Sequence, residues 1–356
     1  MQQFEVRKDD LSARRLVTRD PPTLADQGIR LEVERFAFTA NNMTYGVAGD
    51  FLGYWQFFPA SEDGWGQIPV WATARVKETR HPEIAVGERL YGYFPPAEYA
   101  DLIAGDVGAK RLVDHAPHRQ HLPPLYNHYR RLGPVADAAK DNASILLAPL
   151  HITSFCLWDV LRSRNWHGAG QILISSASSK TSLGLAYGLK RDDSAPRIIG
   201  LTSAGNAAFV KGTGLYDEVL TYDNIEALSN EASVLVDMAG SASLVAAMFA
   251  KLGDALVYRY NVGITHGPSA GTPKGNVGGT GAKEMFFAPS YILERVKEWG
   301  AAEFDRRSTA FIAGAAEATA GWMEVDERPG LGALEDAYPQ FVAGAWPPDR
   351  GLVIVP

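Results

Sequence analysis

An α/β fold is expected from three features of the sequence. Short continuous apolar segments alternate with helix-spaced ones from Gln171 to Tyr258, short strands and turns precede them between Phe4 and Tyr99, and a serine-rich turn joins the first apolar strand to the first helix of the alternation. Continuous apolar strands separated by helices imply a doubly wound parallel sheet covered on both faces, whereas the alternating strands ahead of them imply a separate β-rich domain. The 356 residues also exceed the ~250–300 at which one core usually stops growing, so two domains are expected.

Composition narrows the class. Hydrophobic residues at 46% and charged residues at 21% describe an ordinary globular chain. A net charge of -7 and a pI near 5.7 leave no basic footprint of the kind nucleic-acid binders show. Cys156 is the only cysteine, which excludes an intramolecular disulfide framework and a multi-cysteine zinc site. The start MQQFEVRKDDL has no hydrophobic signal core and no long uncharged apolar segment is evident, so a soluble cytoplasmic protein without a membrane partner is expected.

In chain order, Arg30 to Phe36 and part of Val70 to Val76 alternate with period two, and Gly87 to Gly92 reads as a turn feeding a strand. Asp101 to Asp141, rich in Pro, His and Arg and carrying Asn127-His128-Tyr129-Arg130-Arg131, reads as irregular or partly helical. Ser144 to Arg164 reads as an apolar-faced helix, with Ile145, Leu146, Ile152, Phe155 and Leu157 available to pack. Strands then follow at Ile172 to Ile174, Arg197 to Leu201, Glu218 to Thr221, Ser233 to Asp237 and Ala255 to Tyr258. Helices are expected over the stretch after the serine turn to Arg191, Asn206 to Gly212 and Ser243 to Leu252. The glycine-rich stretch Gly263 to Gly281, with Gly278-Gly279 and Gly281, has no apolar strand leading into it and reads as a surface loop or lid. Helices at Pro289 to Gly300 and Arg306 to Met323 precede a closing strand, Gly351 to Val355, which has no helix after it and is a candidate to return to the first domain.

The serine-rich turn carries the chemistry. Strand, tight turn and helix make the first part of a nucleotide-binding βαβ unit, yet the usual G-x-G-x-x-G is replaced by Ser176-Ala177-Ser178-Ser179-Lys180-Thr181-Ser182. The helix N-terminus still offers N–H groups and a positive dipole to an anion, and the hydroxyls of Ser176, Ser178, Ser179 and Thr181, with Lys180, are candidates to replace part of the glycine cradle. No G-x-S-x-G surrounds these serines, which argues against a serine hydrolase, and the P-loop frame around Ser179-Lys180-Thr181 is absent.

The order of parts resembles the medium-chain dehydrogenase/reductase superfamily, in its zinc-free, quinone-oxidoreductase-like branch. Val86 to Gly92 is similar to that family's turn before a strand of its GroES-like domain. His151-Ile152-Thr153-Ser154 is similar to its threonine-bearing helix ahead of the Rossmann unit, Ile198 to Gly200 and Asp217 to Tyr222 to its second βαβ element, and Leu334 to Val355 to its closing helix and strand. The chain is identified as a divergent branch catalogued as a domain of unknown function. The resemblance implies a GroES-like catalytic domain over 1–143 and 306–356, a Rossmann dinucleotide-binding domain over 144–305, a reaction in the cleft between them, and a homodimer. Zinc-dependent relatives carry a Cys and a Gly-His-Glu motif, but here Asn42 lies near the Cys position and Pro69 to Ala74 stands at the other. No metal is therefore expected, and most of the histidines, scattered mainly from His81 to His167, read as surface or loop groups.

Without zinc, hydride transfer needs another proton source or electrophile. The resemblance places Asn42-Met43-Thr44-Tyr45 on the nicotinamide side and Tyr54 near a tyrosine that donates a proton in zinc-free reductases. Tyr54 is the first choice, Tyr45 the second, and Thr44 a relay; the bland alternative is that Tyr54, Trp55, Phe57, Phe58, Trp65 and Trp71 only wall an apolar pocket. The second strand ends Leu201-Thr202-Ser203-Ala204-Gly205-Asn206 with no acid to bind a ribose 2′-OH, which favours NADP over NAD. Lys211 and Lys180 are the candidate cations for a 2′-phosphate, with Lys211 as a plain solvated residue the alternative, and Tyr222 matches a tyrosine at the adenosine end. Thr153, Ala239, Gly240, Asn261 and Val262 complete the expected cofactor contacts, while Asp237 reads as a turn or capping residue. The expected activity is NADPH-dependent reduction of an activated C=C or C=O in a small apolar substrate; the alternative is a binding or interaction protein that keeps the fold without turnover.

Overall fold

The computed structural model describes residues 1–262 and 282–356; the glycine-rich stretch Gly263 to Gly281, expected to form a loop, lies outside them. The chain forms two compact units, 1–149 with 324–356, and 150–323. The division falls inside the helix Ala138–Ser163, at Pro149, and the helix Ala301–Thr319 belongs to the second unit rather than to the return segment. Its Phe311 stacks on Trp158 and meets Phe155 and Tyr187 edge-on, which is what keeps that helix there.

The first unit is built on an eight-stranded sheet in the order Glu324–Pro329, Arg350–Val355, Gly28–Phe38, Val70–Thr79, Arg89–Phe94, His128–Leu132, Arg111–Asp114, Tyr99–Gly105. The last of these pairs back onto Gly28–Phe38 (Ile29 with Leu102, Leu31 with Ala100), closing six strands into a barrel. The long strand can serve partners along both edges because its register with Val70–Thr79 shifts at Arg30/Leu31 and again between Val33 and Arg35, bending it around the barrel. The closing strand does return: Leu352 pairs with Phe38 and Ile354 with Phe36.

One expectation is corrected here. The segment from Asp101 to Asp141 is not mainly irregular; it supplies three barrel strands, the second and third joined through short 3-10 turns at Pro117–Arg119 and Pro124–Asn127. Its strands are short and carry charges on their outer face, so period and apolarity are both weak signals, and only pairings such as Leu112 with Tyr129 reveal them.

The second unit holds a six-stranded, wholly parallel sheet in the order Glu218–Thr221, Arg197–Thr202, Gln171–Ile174, Ser233–Asp237, Leu256–Asn261, Ala282–Met285. Gln171–Ile174 and Ser233–Asp237 are buried along their whole length, as continuous apolar runs in a covered parallel sheet should be. Leu173, Ile199, Leu201 and Leu235 pack with Leu244, Val245, Met248 and Leu252 of the helix Ala242–Leu252. Strand order reverses direction between Gln171–Ile174 and Ser233–Asp237, which defines the topological switch point where open α/β sheets bind ligands.

No long uncharged apolar segment is expected, yet the helix Ala138–Ser163, which carries charges at both ends, is by length and composition alone apolar enough to cross a membrane. Its apolar residues are core residues instead: Leu146 lies against Gly351 in the first unit, and Phe155 packs against Phe304 in the second.

Candidate functional site

In the parallel-sheet unit the site grows from the end of the central strand. Ser175, fully buried, donates its hydroxyl to Asp237 Oδ1 (2.8 Å) and accepts the N–H groups of Met238 (2.8 Å) and Ala239 (3.0 Å). Asp237 Oδ1 also accepts from the N–H of Ala239 and of Gly240, both at 3.1 Å, so the carboxylate shapes a turn, as its position at a strand end suggested. The loops that leave the two strands flanking the switch point are thereby tied together. Ser175 was not singled out in the sequence, because a serine beside further serines carries no local signal of burial.

The glycine that dinucleotide loops usually place in the turn is absent, but its backbone conformation is not. Ser176 has φ +47°, in the left-handed region that costs an L-residue roughly 1–2 kcal/mol. It is held there by its N–H donating to Tyr222 Oη (3.0 Å) and its carbonyl accepting from Ser179 N–H (2.8 Å). Ala177 is pinned on both sides, its N–H to the Leu201 carbonyl (3.0 Å) and its carbonyl by Tyr216 Oη (2.9 Å). The helix Lys180–Lys190 then starts from Ser179, whose Oγ accepts the Ser182 N–H (3.1 Å) and donates to Ser182 Oγ (2.8 Å); that hydroxyl donates to the Ser175 carbonyl (3.2 Å). The hydroxyls of Ser179 and Ser182 therefore hold the turn itself. Thr181, in the first turn, has an N–H with no acceptor inside the helix, and with the half-buried Lys180 it begins the helix end that could take an anion.

At the end of the second strand Thr202 is buried and Ser203 exposed, and Asn206 Nδ2 donates to Ser178 Oγ (3.0 Å), bringing this corner against the serine turn. No acidic side chain lies between Thr202 and Asn206. Lys211 is exposed on the helix Ala207–Gly212. Asn261 and Val262 are half-buried at the fifth strand's end, where Val262 N–H donates to the Asp237 carbonyl (2.9 Å). Thr153 is half-buried on the long helix, and its neighbour Ser154 donates to the Thr181 carbonyl (2.7 Å). One turn earlier His151 is fully buried, with no hydrogen-bond partner for either ring nitrogen among the described residues; burial, reinforced by the charge of Lys180, lowers its pKa to about 4.

The candidate catalytic residues lie in the barrel unit. The helix Ala40–Val47 carries Asn42, Thr44 and Tyr45, and a 3-10 turn Tyr54–Gln56 follows it. Asn42 is a brace: its Oδ1 accepts the Thr39 N–H (2.7 Å) and its Nδ2 donates to the Pro69 carbonyl (2.8 Å). Thr44 is half-buried. Tyr45 and Tyr54 stack obliquely with centroids 4.6 Å apart, and Tyr45 Oη accepts from Trp71 Nε1 (3.3 Å). Tyr54 Oη lies 3.1 Å from Tyr126 Oη, a residue that nothing local in the sequence marks. Burial raises the pKa of Tyr45, Tyr54, Tyr93 and Tyr126, so all four are neutral phenols near pH 7.

Tyr126 is held from behind by Arg119, itself fully buried. Arg119 donates to the Tyr126 carbonyl (2.9 Å), Asn127 Oδ1 (3.0 Å), Asp114 Oδ2 (2.6 Å) and Tyr129 Oη (3.1 Å), and its guanidinium lies over Phe57 and Phe58. Among the described residues no group of three or more His, Cys, Asp or Glu side chains could hold a metal ion.

A barrel unit discontinuous in sequence, with a wholly parallel sheet inserted into it, is the fold of the medium-chain dehydrogenases and reductases, and solved structures agree. The chain is similar to Escherichia coli quinone oxidoreductase, solved with NADPH (TM-score 0.62, 14% identity, all of both chains covered). It is similar to mycobacterial Rv1454c, solved with NADPH (0.60, 18%, all of both chains). It is also similar to CurA from Vibrio vulnificus, solved with NADPH (0.57, 13%, 100% of this chain and 99% of that one). Over residues 36–347 the sequence matches the family described as protein of unknown function, DUF2855, and the chain belongs to that family. No curated protein matches it in sequence.

Proposed function

We propose that the protein is an NADP(H)-dependent oxidoreductase that reduces an activated C=C or C=O of a small apolar substrate, such as an enone, an enoyl thioester or a quinone. The observation that carries this reading is the tied pair of loops at the switch point, with left-handed Ser176 and a helix starting beside it. That arrangement is what a pyrophosphate needs, and it has been kept without the glycines. The corner of Ser178, Ser203 and Asn206 offers hydrogen-bond donors and no carboxylate, which fits a 2′-phosphate. Support also comes from relatives in fold that were solved with NADPH. When bound, the reduced nicotinamide supplies a hydride. The chain supplies the proton, from Tyr54, and the aromatic surroundings of Tyr45, Phe57, Trp71 and Tyr93 exclude water.

Quenching of protein fluorescence by NADPH tests the first step, and Lys180→Ala should weaken binding by about tenfold, the loss of one charge-assisted contact of ~1.4 kcal/mol. Oxidation of NADPH across enones, enoyl thioesters, quinones and aldehydes tests the second. Tyr54→Phe should lower turnover far more than cofactor affinity. A second reading, a dinucleotide-binding protein without turnover, is favoured by the burial of Tyr54, only 4% exposed. NADPH binding without oxidation of any acceptor would select it.

A further inference from the structure

We propose that Tyr126 is a positioning residue for Tyr54: its hydroxyl donates to the Tyr54 oxygen and leaves the Tyr54 O–H directed at the reacting substrate. The inference rests on the reading of Tyr54 as proton donor, and its geometry is independent of any motif. Each phenol has one hydrogen to give. If Tyr54 gave its hydrogen to Tyr126, it would have none for a substrate; with Tyr126 as donor, the two hydroxyls form a chain whose free end is the Tyr54 hydrogen. Such chains strengthen the terminal donor.

The Tyr126 side chain is fixed well enough to do this. Its 3-10 turn begins Pro123-Pro124, which pre-sets the backbone, and Arg119 grips its carbonyl at 2.9 Å. The ring is packed by Tyr93 (centroids 4.6 Å), Phe57 (5.4 Å) and Tyr45 (6.5 Å). Around Tyr54 the facing groups are Tyr45 from the helix, Phe57 from its own segment and Tyr126. The buried cation Arg119 stacks behind Phe57 and gives its hydrogens to Asp114, Asn127, Tyr129 and the Tyr126 carbonyl. A phenolate forming on Tyr54 would therefore have the Tyr126 O–H as its stabilising partner.

In the step itself the substrate double bond gains a hydride from reduced nicotinamide at one atom and the Tyr54 proton at the other. The substrate leaves reduced by two electrons with NADP+ as the oxidised product, and the Tyr54 phenolate regains a proton from water. Tyr126 keeps its own hydrogen throughout.

Two measurements test this on the full chain. With 3,5-difluorotyrosine placed at position 54, the fluorine signal followed against pH should show ionisation about half to one pH unit higher in Tyr126→Phe than with Tyr126 present. Equal midpoints would overturn the proposal, whether or not an acceptor substrate is found. In turnover, Tyr126→Phe should lower kcat about tenfold with NADPH affinity unchanged, and should do nothing further in a Tyr54→Phe background, since the two hydroxyls act as one unit. Additive losses, or an unchanged kcat while Tyr54→Phe is slow, would also overturn it. If Tyr54→Phe turns over normally, the donor reading of Tyr54 fails instead, and the fluorine titration alone decides the pairing.

Discussion

The serine turn of the parallel-sheet unit and the tyrosine cluster of the barrel unit are held in opposite ways. From Ser175 to Ser182 the turn is largely self-made, hydroxyl to backbone and hydroxyl to hydroxyl, with Asp237, Tyr216 and Tyr222 reaching in from neighbouring strand ends. The tyrosine cluster has almost no local structure of its own. Tyr45, Tyr54, Trp71, Tyr93 and Tyr126 arrive from five segments, and a buried Arg119 with its carboxylate partner secures the last of them. A locally built turn keeps its backbone conformation without the usual glycines, as the left-handed Ser176 shows; an assembled cluster depends on remote contacts.

The sharpest way to break that contrast is at Arg119. Arg119→Leu strands Asp114 as a buried, unpaired carboxylate and should cost about 3–5 kcal/mol in denaturant unfolding of the barrel unit, while NADPH affinity per folded molecule stays as it was. A loss below ~1 kcal/mol would show that the cluster is not held this way.

His151 tests the other unit. Its folded pKa of about 4 lies below the ordinary 6.5, so the unfolded chain binds the proton more readily. Above pH 6.5 the ring is neutral in both states and its titration costs nothing; as pH falls toward 4 the unfolded chain takes up the proton first and stability drops, by up to about 3 kcal/mol. His151→Leu should flatten acid unfolding across that window, monitored by circular dichroism, and raise stability at neutral pH by removing ring nitrogens that lack partners among the described residues. An unaltered acid profile would count against burial as the cause.

The smallest effect is expected at Ser176. Ser176→Gly relieves the positive φ and should stabilise the chain by about 0.5–1 kcal/mol, net of the entropy glycine adds to the unfolded state. Destabilisation would mean that the Ser176 side chain contributes more than its strain costs.

The same contrast explains what could be read from the sequence. The alternation from Gln171 to Tyr258 was legible because apolar runs and helix spacing are local, and the serine turn was legible by its place between Ile174 and Leu183. Tyr54 and Tyr45 could be reached only by resemblance. Tyr126, Arg119 and Ser175 were missed because their importance lies in what approaches them from elsewhere in the chain. The barrel strands of Arg111–Asp114 and His128–Leu132 were hidden for the same reason: each is defined by its partner's register and not by its own composition.

The pairing of Arg350–Val355 with Gly28–Phe38 has a consequence for biosynthesis. Phe38 emerges from the ribosome early, but Tyr338 and Phe341, which cover it edge-on, are made only after the whole parallel-sheet unit has been translated. The inserted unit can therefore finish folding first, while the barrel unit that encloses it in sequence waits with an apolar strand edge uncovered. Nascent chains stalled before residue 331 should accordingly recruit holdase chaperones through the first unit and not the second.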